Sequence, residues 1–138
     1  MEKKFFKLGV AIIASISLLQ ACTDYKEDIK VKTNEFLSAY FNGDYQRAMT
    51  FCTDSLGGEI SKMLSGFEAL DPSIQDMVKR QASTLTTEIV SVVKSENRDT
   101  IMVNYKLSLP FSLRDIDNSI SFIKEDKDWK VARLGADK

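Results

Sequence analysis

The chain contains no histidine, and it has only two cysteines, two prolines and one tryptophan among its 138 residues. Without histidine, the commonest general base and the commonest transition-metal ligand are both missing, and no catalytic triad built on histidine can form. Two cysteines are too few for a zinc site made from the usual sulfur and nitrogen ligands. The sequence therefore predicts no metal site and no cofactor, and we assign no catalytic residue.

A strong net charge is lacking as well. The formal net charge is −1, whereas a nucleic-acid-binding domain carries a clustered basic excess, so no nucleic-acid partner is expected. With 43% hydrophobic and 28% charged residues, the composition is that of a folded protein rather than a disordered chain. The length suits one domain.

The N-terminal segment has the layout of a secretory signal. Lys3, Lys4 and Lys7 precede an uncharged run over residues 8–19. Twelve helical residues extend only about 18 Å, which is too short to cross a hydrocarbon core of about 30 Å. A basic start followed by a short apolar run is typical of a signal peptide, which we predict over residues 1–21.

Cys22 follows this run directly. The sequence Leu-Gln-Ala-Cys over residues 19–22 resembles a bacterial lipobox, in which a small residue precedes an obligatory cysteine. The resemblance implies that acyl chains on Cys22 attach the protein to a membrane. It places the protein in the cell envelope, at the outer membrane of a Gram-negative bacterium. The alternative is a plain secretory signal in which Cys22 is incidental.

Residues 22–28 are predicted to be the lipidated cysteine and a short hydrated tether, and residues 29–138 a single domain. Lys26, Glu27 and Asp28 resemble the acidic signals that direct some lipoproteins to the cell surface, but a solvated linker explains them equally well. The periplasmic or outer face is therefore left open. With Cys22 acylated, Cys52 has no disulfide partner, and we predict that it is a small buried residue rather than a nucleophile.

Apolar residues recur at helical spacing through the first half of the domain. This pattern predicts four helices, over residues 29–41, 45–53, 56–67 and 72–84. Gly43 suits the left-handed position after the first helix, and Asp44 suits the N-cap of the second. The apolar stripes, including Ile74, Met77 and Val78 of the fourth helix, are predicted to face the core.

From residue 86 onward, the spacing of apolar residues is typical of β-strands. Ile101, Val103, Tyr105, Leu107 and Leu109 share one face of a half-buried strand that ends at a proline. A β-branched run over residues 88–95 precedes it, and two strands joined by a tight turn at residues 125–128 follow it. Helices followed by about four antiparallel strands predict an α+β fold, with the helices on one face of the sheet.

Two segments carry a resemblance to a known family. FLSAYFNGDYQRAMTFCTD, residues 36–54, is similar to the opening helix pair of small nuclear transport factor two-like (cystatin-like) domains. FIKEDKDWKVARL, residues 122–134, is similar to their final hairpin. The resemblance implies a curved, cone-like sheet whose cavity binds a small ligand, holds a substrate or is filled by side chains. It also implies a lipoprotein of unknown function, because lipid-anchored bacterial proteins carry this domain.

Polar side chains that face such a cavity are the candidate ligand-binding residues, namely Tyr40, Tyr105 and Arg133. Arg133 is included because it lies two residues beyond Val131, on the predicted face of Trp129. Together they would suit a small anionic or aromatic ligand. Alternatively, both tyrosines pack in the core and Arg133 reaches water.

The leading hypothesis is a lipid-anchored, non-enzymatic module in the cell envelope that binds a small molecule or an envelope protein. One alternative is an enzyme of the hydro-lyase or isomerase type that works in the cone cavity. The other is a structural accessory protein whose cavity is filled.

Overall fold

The structure is a computed structural model that describes residues 25–135. The predicted signal peptide at residues 1–21, Cys22 and the first part of the predicted tether lie outside the described residues. The helices are α1 (Tyr25–Phe41), α2 (Tyr45–Met49), α3 (Asp54–Glu68) and α4 (Pro72–Ala82). The strands are β1 (Thr86–Lys94), β2 (Thr100–Ser108), β3 (Ile116–Glu125) and β4 (Asp128–Leu134).

The four strands form one antiparallel sheet in the order β1-β2-β3-β4. The α+β class, with helices before a four-stranded sheet, is therefore confirmed. Helix α1 begins at Tyr25, so residues 25–28 of the predicted hydrated tether lie in the first turn of the helix. Glu27 and Asp28 lie in the first turn, where carboxylates interact favourably with the positive end of the helix dipole.

The connection between α1 and α2 is the predicted glycine turn. Gly43 has a φ of +77°, a value that glycine adopts without steric cost. The Asp44 amide donates to the Ala39 carbonyl at 2.9 Å, and the Gly43 amide donates to the Tyr40 carbonyl at 3.3 Å. These two bonds form a Schellman motif, which satisfies the last carbonyls of α1. The Asp44 side chain then caps α2 by accepting from the Arg47 amide.

Helix α2 ends at Met49, earlier than the sequence pattern predicts, because the chain next joins the edge of the sheet. The Val131 amide donates to the Phe51 carbonyl at 2.8 Å, and the Thr53 amide donates to the Val131 carbonyl at 2.9 Å. This bridge covers the outer edge of β4, which is otherwise an exposed row of unpaired backbone groups. Cys52 lies in the bridge and is buried, as predicted, although outside a helix.

The hydrophobic core lies between the helices α1 to α3 and one face of the sheet, called here the inner face. Its fully buried apolar side chains are Ile29, Phe36, Ala48, Ile60, Ile101, Val103, Ile120, Phe122 and Val131. All of them fall between residues 29 and 131, so a chain that begins at Thr23 keeps the whole core. Thr33 is buried among them, and its hydroxyl donates to the Ile29 carbonyl at 2.7 Å.

Two irregularities bend the sheet. In β1 the pairing shifts between Ile89 and Ser91, and in the β3–β4 pair it shifts between Ser121 and Phe122. Each shift inserts one residue, which increases the local twist of the strand. The β3–β4 turn is tight, as predicted. Asp126 and Lys127 have φ values of 52° and 67°, which are typical of a two-residue type I′ turn.

Candidate functional site

Helix α4 differs from the other helices because it buries none of its residues. Ile74, Met77 and Val78 are 38%, 50% and 37% exposed. The prediction that this stripe faces the core is therefore wrong. The sheet's inner face is already covered by α1 to α3, so the amphipathic face of α4 lies along an outer margin of the domain. Its apolar side chains remain accessible there.

The loop between β2 and β3, residues 109–115, is the second unusual feature. Phe111 and Leu113 are fully exposed. Pro110 lacks an amide hydrogen and ends the β2 ladder, so Leu109 falls outside the strand, contrary to the prediction. The Ser108 hydroxyl closes the base of the loop by donating to Asp115 Oδ1 at 2.7 Å. The loop therefore presents two large apolar side chains to solvent from a closed base.

An open groove, called here the apolar groove, lies between α4 and this loop. Its larger part has a volume of about 610 Å³ and is lined by Val78, Gln81, Ala82, Thr84, Leu85, Leu109, Pro110, Phe111 and Ser112. An adjoining part of about 570 Å³ is lined by Ser73, Met77, Arg80, Gln81, Thr84 and Phe111. The two parts share Gln81, Thr84 and Phe111, so they form one continuous surface. Volumes of this size accommodate small ligands.

Among residues 25–135, Arg80 is the one charged side chain that lines either part of the groove. Its Nε donates to the Asp76 carbonyl at 3.4 Å, which uses one of the five N–H donors of the guanidinium. The ion pairs of Lys30 with Glu27, and of Lys32 with Asp28 and Asp128, do not involve Arg80. The groove thus combines apolar walls with one fixed positive charge.

A second, more polar cavity of about 460 Å³ is lined by Val90, Ser91, Asn104, Tyr105, Asp117, Asn118 and Ser119. Asn104 Nδ2 donates to Ser91 Oγ at 2.9 Å. Ser119 is 3% exposed, and its hydroxyl has no hydrogen-bond partner in residues 25–135. Tyr105 and Asp117 belong to opposite faces of the sheet, since Tyr105 pairs with Asn118 and Asp117 pairs with Lys106. The cavity therefore offers several hydrogen-bonding groups and the carboxylate of Asp117.

Tyr40 and Tyr105, two of the predicted ligand-binding residues, lie close enough to interact electrostatically. Burial raises the pKa of Tyr105 to about 12; nearby Tyr40 adds to this rise and a hydrogen bond with Asn118 opposes it. Burial, followed by the proximity of Tyr45, also raises the pKa of Tyr40. Both phenols are neutral at pH 7. They can donate hydrogen bonds but cannot act as bases.

Tyr40 belongs to an aromatic cluster at the ends of α1, α2 and α3. Its ring stacks on Phe36 with centroids 5.7 Å apart, and it meets Phe41 and Tyr45 edge-on. Its hydroxyl donates to Met63 Sδ at 3.7 Å. Tyr40 does not line the apolar groove, so its position agrees with the alternative that the tyrosines pack in the core.

Arg133 does not join the two tyrosines. The shifted β3–β4 register pairs Val131 with Phe122 but pairs Arg133 with Ser121. Directly opposed residues share a face, and Ser121 lies on the outer face beside Met102. The expectation that Arg133 follows Val131 on the inner face is therefore wrong. The inserted residue in β4 reverses the alternation, and sequence periodicity gives no sign of this bulge.

Cys22, the predicted lipid attachment site, lies outside the described residues. The other cysteine is buried, and its Sγ donates to the Ala48 carbonyl at 3.2 Å. Burial raises the pKa of the Cys52 thiol to about 12, so at pH 7 it stays protonated and is a poor nucleophile. Residues 25–135 contain no cluster of acidic, cysteine or histidine side chains able to hold a metal ion.

Sequence reasoning missed the apolar groove. It assigned the stripe of α4 to the core, and it gave no role to the segment between Pro110 and the third strand. One sequence feature pointed to the groove: a short loop containing Phe111 and Leu113 is unusually apolar for a connection between strands. Periodicity alone could not tell that α1 to α3 already cover the sheet.

Comparisons with known proteins add one similarity. No family model matches the chain, and no curated protein matches it. Among solved structures, the chain is similar to that of a protein from Campylobacter jejuni described as a candidate NTF2-like transpeptidase. The identity is 14%, the match covers 79% of this chain and 98% of that chain, and the TM-score is 0.46. This degree of similarity assigns neither a family nor an activity to the chain.

In residues 25–135, no helix combines the length and the apolar character needed to cross a bilayer.

Proposed function

We propose that this chain is a lipid-anchored protein of the cell envelope whose single domain binds a small apolar ligand in the groove between α4 and the β2–β3 loop, without transforming it. The observation that carries the proposal is the groove itself. Apolar side chains of α4 and the loop face each other across about 610 Å³ of open space. Monomeric domains seldom leave such surfaces exposed unless they bind something.

The chemistry of the lining supports binding rather than catalysis. Arginine remains protonated at all physiological pH values, so Arg80 can hold a ligand but cannot exchange a proton with it. The two groups whose pKa burial raises to about 12, Cys52 and Tyr105, both lie away from the groove. With its pKa raised, neither group is ionised at neutral pH, which disfavours a nucleophile or a general base.

The proposed anchor rests on the lipobox resemblance at Cys22. Helix α1 begins at Tyr25, only three residues later, so an acylated Cys22 would hold the first turn of α1 close to the bilayer. Seventeen helical residues extend about 25 Å. A small recess lined by Phe41, Asn42, Ala82 and Leu85 connects the other end of α1 with the groove. On this geometry, the groove opens well away from the anchored end.

Binding is tested with Nile red, a neutral apolar dye, on a chain of residues 23–138. We expect saturable binding that Phe111→Ser weakens about tenfold, because the ring of Phe111 belongs to both parts of the groove. Leu113→Ser is the matched control, since Leu113 is equally exposed in the same loop but does not line the groove. Absence of saturable dye binding, or equal loss in both variants, would contradict a ligand site in the groove.

The anchor is tested by fractionating cells that produce the full chain with or without Cys22→Ser. We expect the parent protein in the membrane fraction with incorporated labelled palmitate, and the variant without label and released from the membranes. A variant that stays wholly in the membrane fraction would overturn the anchor.

A further inference from the structure

We infer that the ligand of the apolar groove is a single-chain amphiphilic carboxylate, such as a free fatty acid, whose head group pairs with Arg80. This inference deepens the proposed function and rests on it. It starts from the position of the one charged group along the groove. The apolar walls and the single charge lie at different ends of one continuous surface.

One end of the groove is lined mainly by apolar side chains, and its polar residues Gln81, Thr84 and Ser112 are uncharged. Val78, Ala82 and Leu85 face Leu109 and Pro110 across it. The other end contains Arg80 together with the hydroxyl of Ser73. Phe111 lines both ends, so a molecule that spans them lies along its ring. This arrangement matches a ligand with an extended apolar tail and one polar head.

The sign of the charge selects the head group. Within residues 25–135, the groove lining contains the Arg80 guanidinium and no carboxylate, so an anionic head is attracted and a cationic head is repelled. The guanidinium is a planar fork that binds a carboxylate through two parallel hydrogen bonds. Its Nε donates to the backbone carbonyl of Asp76 at 3.4 Å, which leaves the other guanidinium donors for a ligand.

The single charge of the groove favours a ligand that has one anionic group and one apolar tail. A single cation compensates a single carboxylate, whereas a phosphodiester lipid brings two tails and a larger head. Neighbouring Lys79 does not contribute to the groove, because its ammonium lies 5.8 Å from the ring centroid of Phe67. We therefore commit to a free monocarboxylate rather than to a membrane lipid.

The test compares three 12-carbon probes by isothermal titration on residues 23–138, below the micelle concentrations of the two ionic probes and the solubility limit of the alcohol. They are dodecanoate, the neutral 1-dodecanol and the cationic dodecyltrimethylammonium. We expect one molecule of dodecanoate per chain, bound at least tenfold more tightly than dodecanol, with the cation weakest. Arg80→Gln should abolish the preference for dodecanoate, and Arg80→Lys should retain part of it. Arg47→Gln, the same change at an exposed position on α2, should leave it intact.

The outcomes separate this inference from the proposed function. If dodecanol binds as tightly as dodecanoate, or if Arg80→Gln keeps the preference, the carboxylate assignment is wrong while the groove remains a ligand site. If neither the probes nor Nile red bind, the proposed function fails as well. Circular dichroism of each variant verifies the fold, which Arg80→Gln should not disturb because Arg80 is exposed.

Discussion

Because the core is packed and helix α4 is accessible, truncating a core side chain should destabilise the fold far more than truncating a side chain of α4. Phe36 of α1 is fully buried against the sheet and stacks on Tyr40. Met77 of α4 is half exposed and borders the apolar groove. Replacing each with alanine removes an apolar side chain of similar size. The stability costs should nevertheless differ severalfold, because only the first replacement leaves a closed cavity.

The magnitudes follow from burial. Truncating a fully buried phenylalanine costs about 3–5 kcal/mol, since the lost transfer energy is joined by the cost of a cavity. Burying a whole methionine stabilises by about 1.5–3 kcal/mol, so the half-buried Met77 contributes about 1 kcal/mol. For a domain of this length, 1 kcal/mol corresponds to a shift in Tm of roughly 4 °C. Phe36→Ala should therefore lower Tm by about 12–20 °C, and Met77→Ala by about 4 °C.

Urea denaturation measures both variants, with the fluorescence of the single tryptophan as the probe. Trp129 is half-buried near the start of β4, with Lys94 Nζ 5.6 Å and Lys124 Nζ 5.7 Å from its ring centroid, so unfolding changes its surroundings. The free energy of unfolding of Met77→Ala should stay within about 1 kcal/mol of the parent. If Met77→Ala destabilises as much as Phe36→Ala, then α4 packs into the core and the groove is not an accessible site.

Three further predictions concern single contacts. A hydrogen bond from Lys32 lowers the pKa of Asp128 in the folded state. The pair therefore stabilises the fold fully at pH values above the unfolded-state pKa of about 4, and this stabilisation is lost as the pH falls through the lower folded-state pKa. The free energies of unfolding of the parent and of Lys32→Ala, measured as a function of pH, should therefore converge at low pH. At pH 7 they should differ by less than about 1 kcal/mol, because Asp128 is exposed. Cys52, with its pKa raised to about 12, should resist a thiol reagent at pH 8 until urea unfolds the chain; rapid labelling of the native protein would contradict its burial. Lys127→Gly should raise the unfolding free energy by about 0.5–1 kcal/mol in the same urea assay, because Lys127 has a φ of 67° in the hairpin turn; a loss of stability would argue against that turn type.

Much of the fold could be predicted because local signals decided it. Gly43 and Asp44 end one helix and begin the next through backbone and side-chain geometry that depends on neighbouring residues alone. The recurrence of apolar residues at every second position, Ile101, Val103 and Tyr105, predicted the inner face of β2, which is confirmed. The same local rule failed at Arg133, where a single inserted residue in β4 turns the side chain to the other face.

The candidate site was less predictable, because it depends on which surfaces remain uncovered. The sequence by itself determined the elements and their order, the buried state of Cys52, and the pattern at Cys22 from which the anchor is proposed. It also determined that α4 has an apolar stripe, but not what that stripe would face. Only the tertiary structure decided what the stripe faces, because the inner face of one sheet has room for only some of the amphipathic helices. Helices α1 to α3 fill that face, and the stripe of α4 is left to form a groove with Phe111, with Arg80 at one end.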